Sequence, residues 1–264
     1  MGKLRKRTYI AGPLVYEALY PIPNPRDSET VRRGKQEATK AAQEYMNLRN
    51  LWLKLELLLA ANFRQNDLVL TLTFRDDTLP ENRSGVQRKL KEFFKGIRNI
   101  RAPWGVPVMY VYRIEHWHSR EFDGMTELEK AKQGRWHVHM VLNSTGHDLD
   151  DVKKCWPYGL LEIQPLRVDR EKNYESLARY FTKEPRDKLG HRAFTASLNL
   201  RKPEIDTVIV PSHEQLKPPR DSEVYANSGE IQTVYGKHQF VKYLWPKLVE
   251  QAPKAKRKKH KKAG

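Results

Sequence analysis

The clearest pattern in the chain is an alternation of apolar and polar positions in the segment GRWHVHMVLN, residues 134–143. Every second residue from Trp136 to Leu142 is apolar, and His137 and His139 stand between them. Since successive side chains of a strand point to opposite faces, the segment predicts a strand with both histidines on one face. The pair is compatible with a metal site and equally with two polar side chains on a solvated sheet face.

Hydrophobic spacing along the rest of the chain predicts a mixture of strands and helices, and therefore an α+β fold. Alternating segments predict further strands at residues 67–76, 106–117 and 160–166. Helical spacing predicts helices at residues 28–62, 86–100 and 173–185, a short helix and turn at residues 148–159, and a short helix near residues 238–251. The first 26 residues contain four prolines and are expected to be irregular.

Composition shifts divide the chain into three expected segments. Residues 1–62 form a basic segment that leads into the long helix, and residues 63–205 hold the alternating strands and their helices. Residues 206–264 are an accessory segment and a basic tail, and we assign no role to residues 201–250 beyond DNA or partner binding.

The charge of the chain points to a polyanionic partner. The chain has 264 residues, a formal net charge of +17, and basic clusters without acids at both ends, residues 3–7 and 254–262. Basic ends of this kind favour salt-sensitive binding of nucleic acid, although they are also compatible with a solubilising or lipid-binding role.

Several classes of protein are disfavoured. The single cysteine, Cys155, allows no disulfide within the chain, which suits a reducing cytosol. No apolar run is long enough for a membrane span, and no secretory signal is recognisable. The phosphate-binding motif G-x-x-x-x-G-K-[ST] is absent, so an ATP-driven motor is not expected. A cytoplasmic, bacterial protein is the expectation.

Candidate metal ligands lie at the end of the strand that precedes the histidines. Glu115 is predicted to share a strand face with Arg113, where it could approach His137 and His139. Two imidazoles and a carboxylate suit a divalent ion such as Mn²⁺ or Mg²⁺. His116 and His118 compete for the place of the third ligand, and a surface ion pair with Arg113 is the alternative for Glu115.

A candidate nucleophile lies on the helix predicted at residues 173–185. At about 100° per residue, Tyr174 falls on the apolar stripe with Ala178 and Phe181, whereas Tyr180 falls off it, beside Lys183. A tyrosine near an ammonium group and a metal can act as a nucleophile, while an amphipathic tyrosine at the edge of the core is the alternative.

Three motifs in order resemble those of a known family. LTLTF at residues 70–74, HVH at 137–139 and YFTK at 180–183 are similar to the three motifs of rolling-circle replication initiators of the HUH endonuclease superfamily. YRIEHW and SLNLRKP, together with the stretch around LTLTF, resemble the single-tyrosine initiators of Gram-positive plasmids, phages and integrative elements. The resemblance spans roughly residues 40–205.

The resemblance implies a central antiparallel sheet flanked by helices, here with an N-terminal helical extension and a basic C-terminal tail. It implies metal ligands at His137, His139 and Glu115, a nucleophile at Tyr180 and the motif lysine at Lys183. The loop between Glu115 and His137 is longer than is usual in that family.

The implied activity is metal-dependent nicking and joining of single-stranded or hairpin DNA at a replication origin. The reaction would pass through a 5′-phosphotyrosine intermediate, and a host helicase and polymerase would be the partners. Alternatives are a relaxase, a single-tyrosine transposase, a non-catalytic DNA-binding protein, and a structural protein that binds nucleic acid through its ends.

Overall fold

The structure is a computed structural model. It describes residues 3–22, 40–117, 135–169, 173–182, 193–225, 228–233 and 236–245. The chain divides into two compact units, one comprising residues 1–46 and 202–264 and the other residues 47–201. The outer ranges of the expected three-segment division, residues 1–62 and 206–264, thus both contribute to the first unit.

The described secondary structure is a mixture of strands and helices. The helices are α1 (Lys40–Asn62), α2 (Arg83–Arg101), α3 (Leu149–Lys154) and α4 (Glu175–Thr182). The strands are β1 (Lys3–Ala11), β2 (Leu14–Pro21), β3 (Leu68–Leu72), β4 (Tyr110–Trp117), β5 (Arg135–Leu142), β6 (Leu161–Pro165), β7 (Thr195–Ala196), β8 (Glu204–Pro211), β9 (Glu223–Val224), β10 (Gly229–Thr233) and β11 (Gly236–Leu244).

The unit of residues 47–201 is built on one five-stranded antiparallel sheet. Its strand order is β6-β3-β5-β4-β7, so the histidine strand β5 lies in the centre. One face packs against α2 and α3, and the other packs against α1 and α4. The predicted α+β fold with a central antiparallel sheet flanked by helices is confirmed.

The predicted alternation of β5 agrees with its burial. Val138, Met140 and Leu142 have no exposed surface and pack against α2. The helix predicted at residues 173–185 is present as α4, and its start is capped by Asn173, whose side-chain oxygen accepts a hydrogen bond from the backbone N–H of Glu175 at 3.1 Å. Residues 183–185 of that prediction lie outside the described residues.

The unit that contains both ends of the chain differs from the expectation. Lys3–Ala11 and Leu14–Pro21 are not irregular but form a β-hairpin, and its turn begins at Gly12 with a φ of 59° that glycine adopts without strain. Their sheet has the order β10-β11-β2-β1-β8, with β9 paired to β11.

A second correction concerns the short helix expected near residues 238–251. Residues Gly236–Leu244 are strand β11, which pairs with β2 more than 200 positions earlier in the sequence. Local spacing suggested a helix because apolar residues recur there at three and four positions. The backbone hydrogen bonds with β2 instead stabilise an extended chain that is rich in aromatic and β-branched residues.

Among the described helices of both units, none is long and apolar enough to cross a membrane.

A buried charged group joins the end of α2 to the end of the histidine strand. Arg101 has no exposed surface, and its guanidinium donates to Asp148 at 2.7 Å and to the side-chain and backbone oxygens of Asn143 at 2.8 Å each. Asn143 directly follows β5, and its amide donates to the carbonyl oxygen of Pro107, just before β4. This group therefore fixes the end of β5 relative to the start of β4 and to the end of α2.

We predict that replacing Asp148 by Asn destabilises the chain by about 3 kcal/mol, because it leaves the buried Arg101 cation without its counter-charge. The measurement is urea unfolding at pH 7. The matched control is Asp151→Asn, which removes an exposed carboxylate paired with Lys154 and should leave the midpoint almost unchanged.

The buried pair of Arg101 and Asp148 also predicts that the free energy of unfolding depends on pH. Burial acts to raise the pKa of Asp148, but hydrogen bonds from Thr145 and Arg101 outweigh it, so the pKa lies below its ordinary value. The stability from this group is therefore present above pH about 4 and is lost as the pH falls through the folded-state pKa. The difference between the wild-type chain and Asp148→Asn should shrink in acid, and a constant difference would contradict the assignment.

Candidate functional site

The face of the sheet that carries the histidines changes from apolar to polar along its strands. In register, Val141 of β5 lies between Val69 of β3 and Val111 of β4, and all three pack against or beside α1 and α4. A row of side chains from directly paired residues is called a rung here. On this face, the rung after the valines contains His139 and the one after it contains His137, and both are polar. The histidines therefore lie where the cover provided by the helices ends, on a face that is apolar at one end and polar at the other.

One ring nitrogen of His139 meets two of the predicted site residues. Oε2 of Glu115 lies 3.1 Å from Nε2 of His139, and the hydroxyl oxygen of Tyr180 lies 3.4 Å from the same nitrogen. The side chains of Glu115 and His139 are only 11% and 13% exposed. The structure thus brings together a carboxylate, an imidazole and a phenol from three separate elements, β4, β5 and α4.

The other nitrogen of His139 is also engaged. The hydroxyl oxygen of Thr71, on β3, lies 3.4 Å from Nδ1. Thr71 is the direct cross-strand neighbour of His139, which explains the contact. With both nitrogens in contact, the imidazole ring is held in one orientation.

His137 lies directly opposite Glu115 on the neighbouring strand. Burial lowers the pKa of His137, and the nearby His139 lowers this pKa further, while the charge of Glu115 acts to raise it. The net shift is downward, so the ring of His137 is neutral at physiological pH. A neutral imidazole is the form that can bind a metal ion.

Tyr174, just before α4, and Tyr180, within α4, are separated as the helical wheel predicted. Tyr174 is buried, its hydroxyl donates to the backbone oxygen of Phe63 at 3.3 Å, and burial together with Asp67 raises its pKa to about 12. Tyr180 is 44% exposed, with its ring edge-on to His139 at a centroid distance of 5.3 Å. Only Tyr180 is both accessible and next to the histidines.

The other candidates are placed differently or not described. The ring of His116 contacts that of Trp136 at a centroid distance of 4.3 Å and a tilt of 40°, and both occupy the sheet face opposite to His137 and His139. Of Glu115 and His116, therefore, only Glu115 shares the histidine face. His118 and Lys183 lie outside the described residues, as does the basic tail.

Arg113 is a site residue that the sequence did not single out. It is the direct cross-strand neighbour of His139 on β4, and it was considered only as an ion-pair partner for Glu115. In the structure its guanidinium donates to the backbone oxygen of Phe181 at 2.8 Å, in a buried position. An alternating strand pattern shows which face Arg113 occupies but not which helix covers that face.

The side chains of His137, His139 and Glu115 are of the types that bind a divalent ion, although they do not converge on one point. Two imidazoles and one carboxylate match the mixed nitrogen and oxygen ligands of Mn²⁺, or of Mg²⁺ with added water and phosphate oxygens. Among the described residues, no three His, Cys, Asp or Glu side chains converge closely enough to hold an ion as they stand. Oε2 of Glu115 and Nε2 of His139 are 3.1 Å apart, which is close to the separation of two adjacent ligands of one ion.

We predict that Glu115→Gln lowers the pKa of His137 further, because the carboxylate is the group that raises it. The measurement is an NMR titration of the histidine ring protons without added metal, with His137→Gln to assign the resonance. The wild-type ring should titrate below 6.5. A higher pKa in Glu115→Gln than in the wild-type chain would show that the two groups do not interact as described.

Comparison with known proteins identifies one family. Residues 67–185 match the model of the family described as replication-associated protein ORF2/G2P. No curated protein and no solved structure matches the chain. The matched range contains Thr71, Glu115, His137, His139 and Tyr180, so the residues that the fold gathers lie inside the region that is similar to replication-associated proteins. The match is consistent with a replication initiator of the Rep type and connects this part of the chain with DNA replication.

Proposed function

We propose that the chain nicks and rejoins single-stranded DNA at a rolling-circle replication origin, with Tyr180 as the nucleophile. The observation that carries the proposal is the position of the Tyr180 hydroxyl, 3.4 Å from Nε2 of His139, which in turn contacts Glu115. The similarity of residues 67–185 to replication-associated proteins supports the biological role.

In the proposed reaction, the phenolic oxygen of Tyr180 attacks the scissile phosphorus. A bond forms between this oxygen and phosphorus, and the bond from phosphorus to the 3′ oxygen of the preceding nucleotide breaks. The phenolic proton passes to solvent, and the departing 3′ oxygen takes up a proton. The products are a 5′-phosphotyrosine and a free 3′-OH, and the reverse steps rejoin the strand without ATP.

His137, His139 and Glu115 would hold a divalent ion, Mn²⁺ or Mg²⁺. A divalent ion there would offset negative charge on the phosphate and so favour attack by the phenol. Lys183 would provide a second positive charge, on the sequence evidence that it follows Tyr180 by three positions. His137 is already neutral, so it can bind without first losing a proton.

Origin DNA, single-stranded or extruded as a hairpin, would be the substrate, and the net charge of +17 would favour its binding. The freed 3′-OH would prime a host polymerase. Because the chain lacks a phosphate-binding loop, a host helicase would supply unwinding. A relaxase or transposase would share this chemistry and differ in its DNA target, whereas a non-catalytic DNA-binding protein would bind the same DNA without cleaving it.

We predict that the chain forms a covalent adduct with single-stranded DNA and that Tyr180→Phe loses it, by on the order of a thousandfold or more. The probe is a randomised oligonucleotide pool with Mn²⁺, labelled at either end, and the measurement is an SDS-resistant band. The 3′ label should travel with the protein and the 5′ label should be released. Tyr174→Phe is the matched control and should retain the adduct.

An adduct that persists in Tyr180→Phe would show that another group is the nucleophile. An adduct that carries the 5′ label would mean attack with the opposite polarity. DNA binding without any adduct in the wild-type chain would favour the non-catalytic alternative.

We also predict that the chain binds Mn²⁺ in the absence of DNA, as measured by the loss of the free Mn²⁺ signal in electron paramagnetic resonance. His137→Gln and His139→Gln should each weaken binding by at least about tenfold, since each removes one ligand. His147→Gln, which removes an exposed histidine beyond the end of β5, is the control. Equal affinity in all four chains would place the metal elsewhere.

A further inference from the structure

The last turn of α4 contains a carbonyl group that its own helix cannot satisfy. In an α-helix the carbonyl of one residue accepts a hydrogen bond from the N–H four positions later. The residue four positions after Phe181 is Pro185, which has no N–H. Phe181 is 1% exposed, so its carbonyl lies where water is largely excluded and an unmade hydrogen bond is costly.

Arg113 supplies the missing donor from the sheet. Its Nη1 donates to the backbone oxygen of Phe181 at 2.8 Å, and the residue is only 7% exposed. The neighbouring Thr182 turns inward and donates its hydroxyl to the carbonyl oxygen of Ala178 at 2.8 Å. The end of α4 is thus fixed on two sides, and Arg113 connects it to the sheet by a hydrogen bond from a charged group.

The position of Arg113 couples the helix to the histidine. Arg113 and His139 are direct cross-strand partners, so one rung of the sheet carries both the anchor of the helix end and the ring that meets Tyr180. Tyr180 immediately precedes Phe181, whose carbonyl is held. A displacement of that carbonyl therefore moves the hydroxyl of Tyr180 away from Nε2 of His139.

From this geometry we infer that Arg113 is a positioning residue for Tyr180: it holds the last turn of α4 on the His139 rung and thereby sets the place of the phenolic hydroxyl. The expected effect of Arg113 on catalysis rests on the proposed function. The expected effect on structure rests only on the contact between Arg113 and Phe181.

The kinetic test is single-turnover formation of the SDS-resistant adduct with the labelled oligonucleotide pool and Mn²⁺. Arg113→Met should slow the step by about ten- to a hundredfold, the effect expected when a reacting group is misplaced by about 1 Å. The dissociation constant for the DNA should change less than about threefold. Arg113→Lys keeps the charge and a donor, and it should recover part of the rate.

The matched control for lost charge is Lys154→Met. Lys154 is exposed on α3, a helix that packs on the opposite face of the sheet, so its removal should leave the rate unchanged. Arg113→Gln is the variant to use if Arg113→Met does not fold, as judged by circular dichroism. It removes the charge, and its side chain is too short to reach as far as the guanidinium, so the same loss is expected.

An independent test needs no activity. In the wild-type chain, selectively labelled tyrosine and histidine rings should give a nuclear Overhauser effect between Tyr180 and His139, whose centroids are 5.3 Å apart. This effect should disappear in Arg113→Met, or in Arg113→Gln, while the contacts of the buried core remain.

Several outcomes would overturn the inference. A rate in Arg113→Met within twofold of wild type would do so, as would retention of the nuclear Overhauser effect. A loss of rate matched by an equal loss of DNA affinity would show that Arg113 binds DNA instead. Failure of the proposed function is distinguishable, because the wild-type chain would then give no adduct while the ring contact would still respond to Arg113.

Discussion

The register between β4 and β5 is the constraint on which the candidate site depends. It places Glu115 opposite His137 and Arg113 opposite His139. Because side chains alternate between faces, a slip of one residue would turn every one of these groups on one strand to the other side of the sheet. No two of the site residues are adjacent in the sequence, and the site therefore exists only in this register.

The far end of the two strands fixes that register. Asn143 follows β5, and its backbone N–H and side-chain oxygen bond the backbone of Met109, just before β4. Arg101 binds the same asparagine through two nitrogens in the buried interior. A buried polar group of this kind is specific in its geometry, because any alternative pairing would leave the Arg101 guanidinium and the Asn143 amide unsatisfied. Because β4 and β5 are paired along their whole length, the register fixed at this end also holds at the site.

The half-buried position of the site determines its electrostatics. The helices that cover the valine rung also exclude water from the neighbouring His139 rung, while Tyr180 remains accessible at the edge of α4. Interactions between charged groups are stronger where water is partly excluded. The same burial keeps His137 neutral, so the site combines a carboxylate, a neutral imidazole and an accessible phenol within one small region.

The sequence by itself determined the local features of the site. Alternation assigned His137, His139 and Glu115 to strand faces, and the helical wheel separated the buried Tyr174 from the accessible Tyr180. These properties follow from the repeat of one strand or one helix, which a short stretch of sequence contains in full. The tertiary structure decided what depends on distant pairing: the strands formed by both ends of the chain, the contact of Thr71 with His139, and the anchoring of α4 by Arg113. No local pattern encodes these contacts, since each requires hydrogen bonds between segments that only the folded chain brings together.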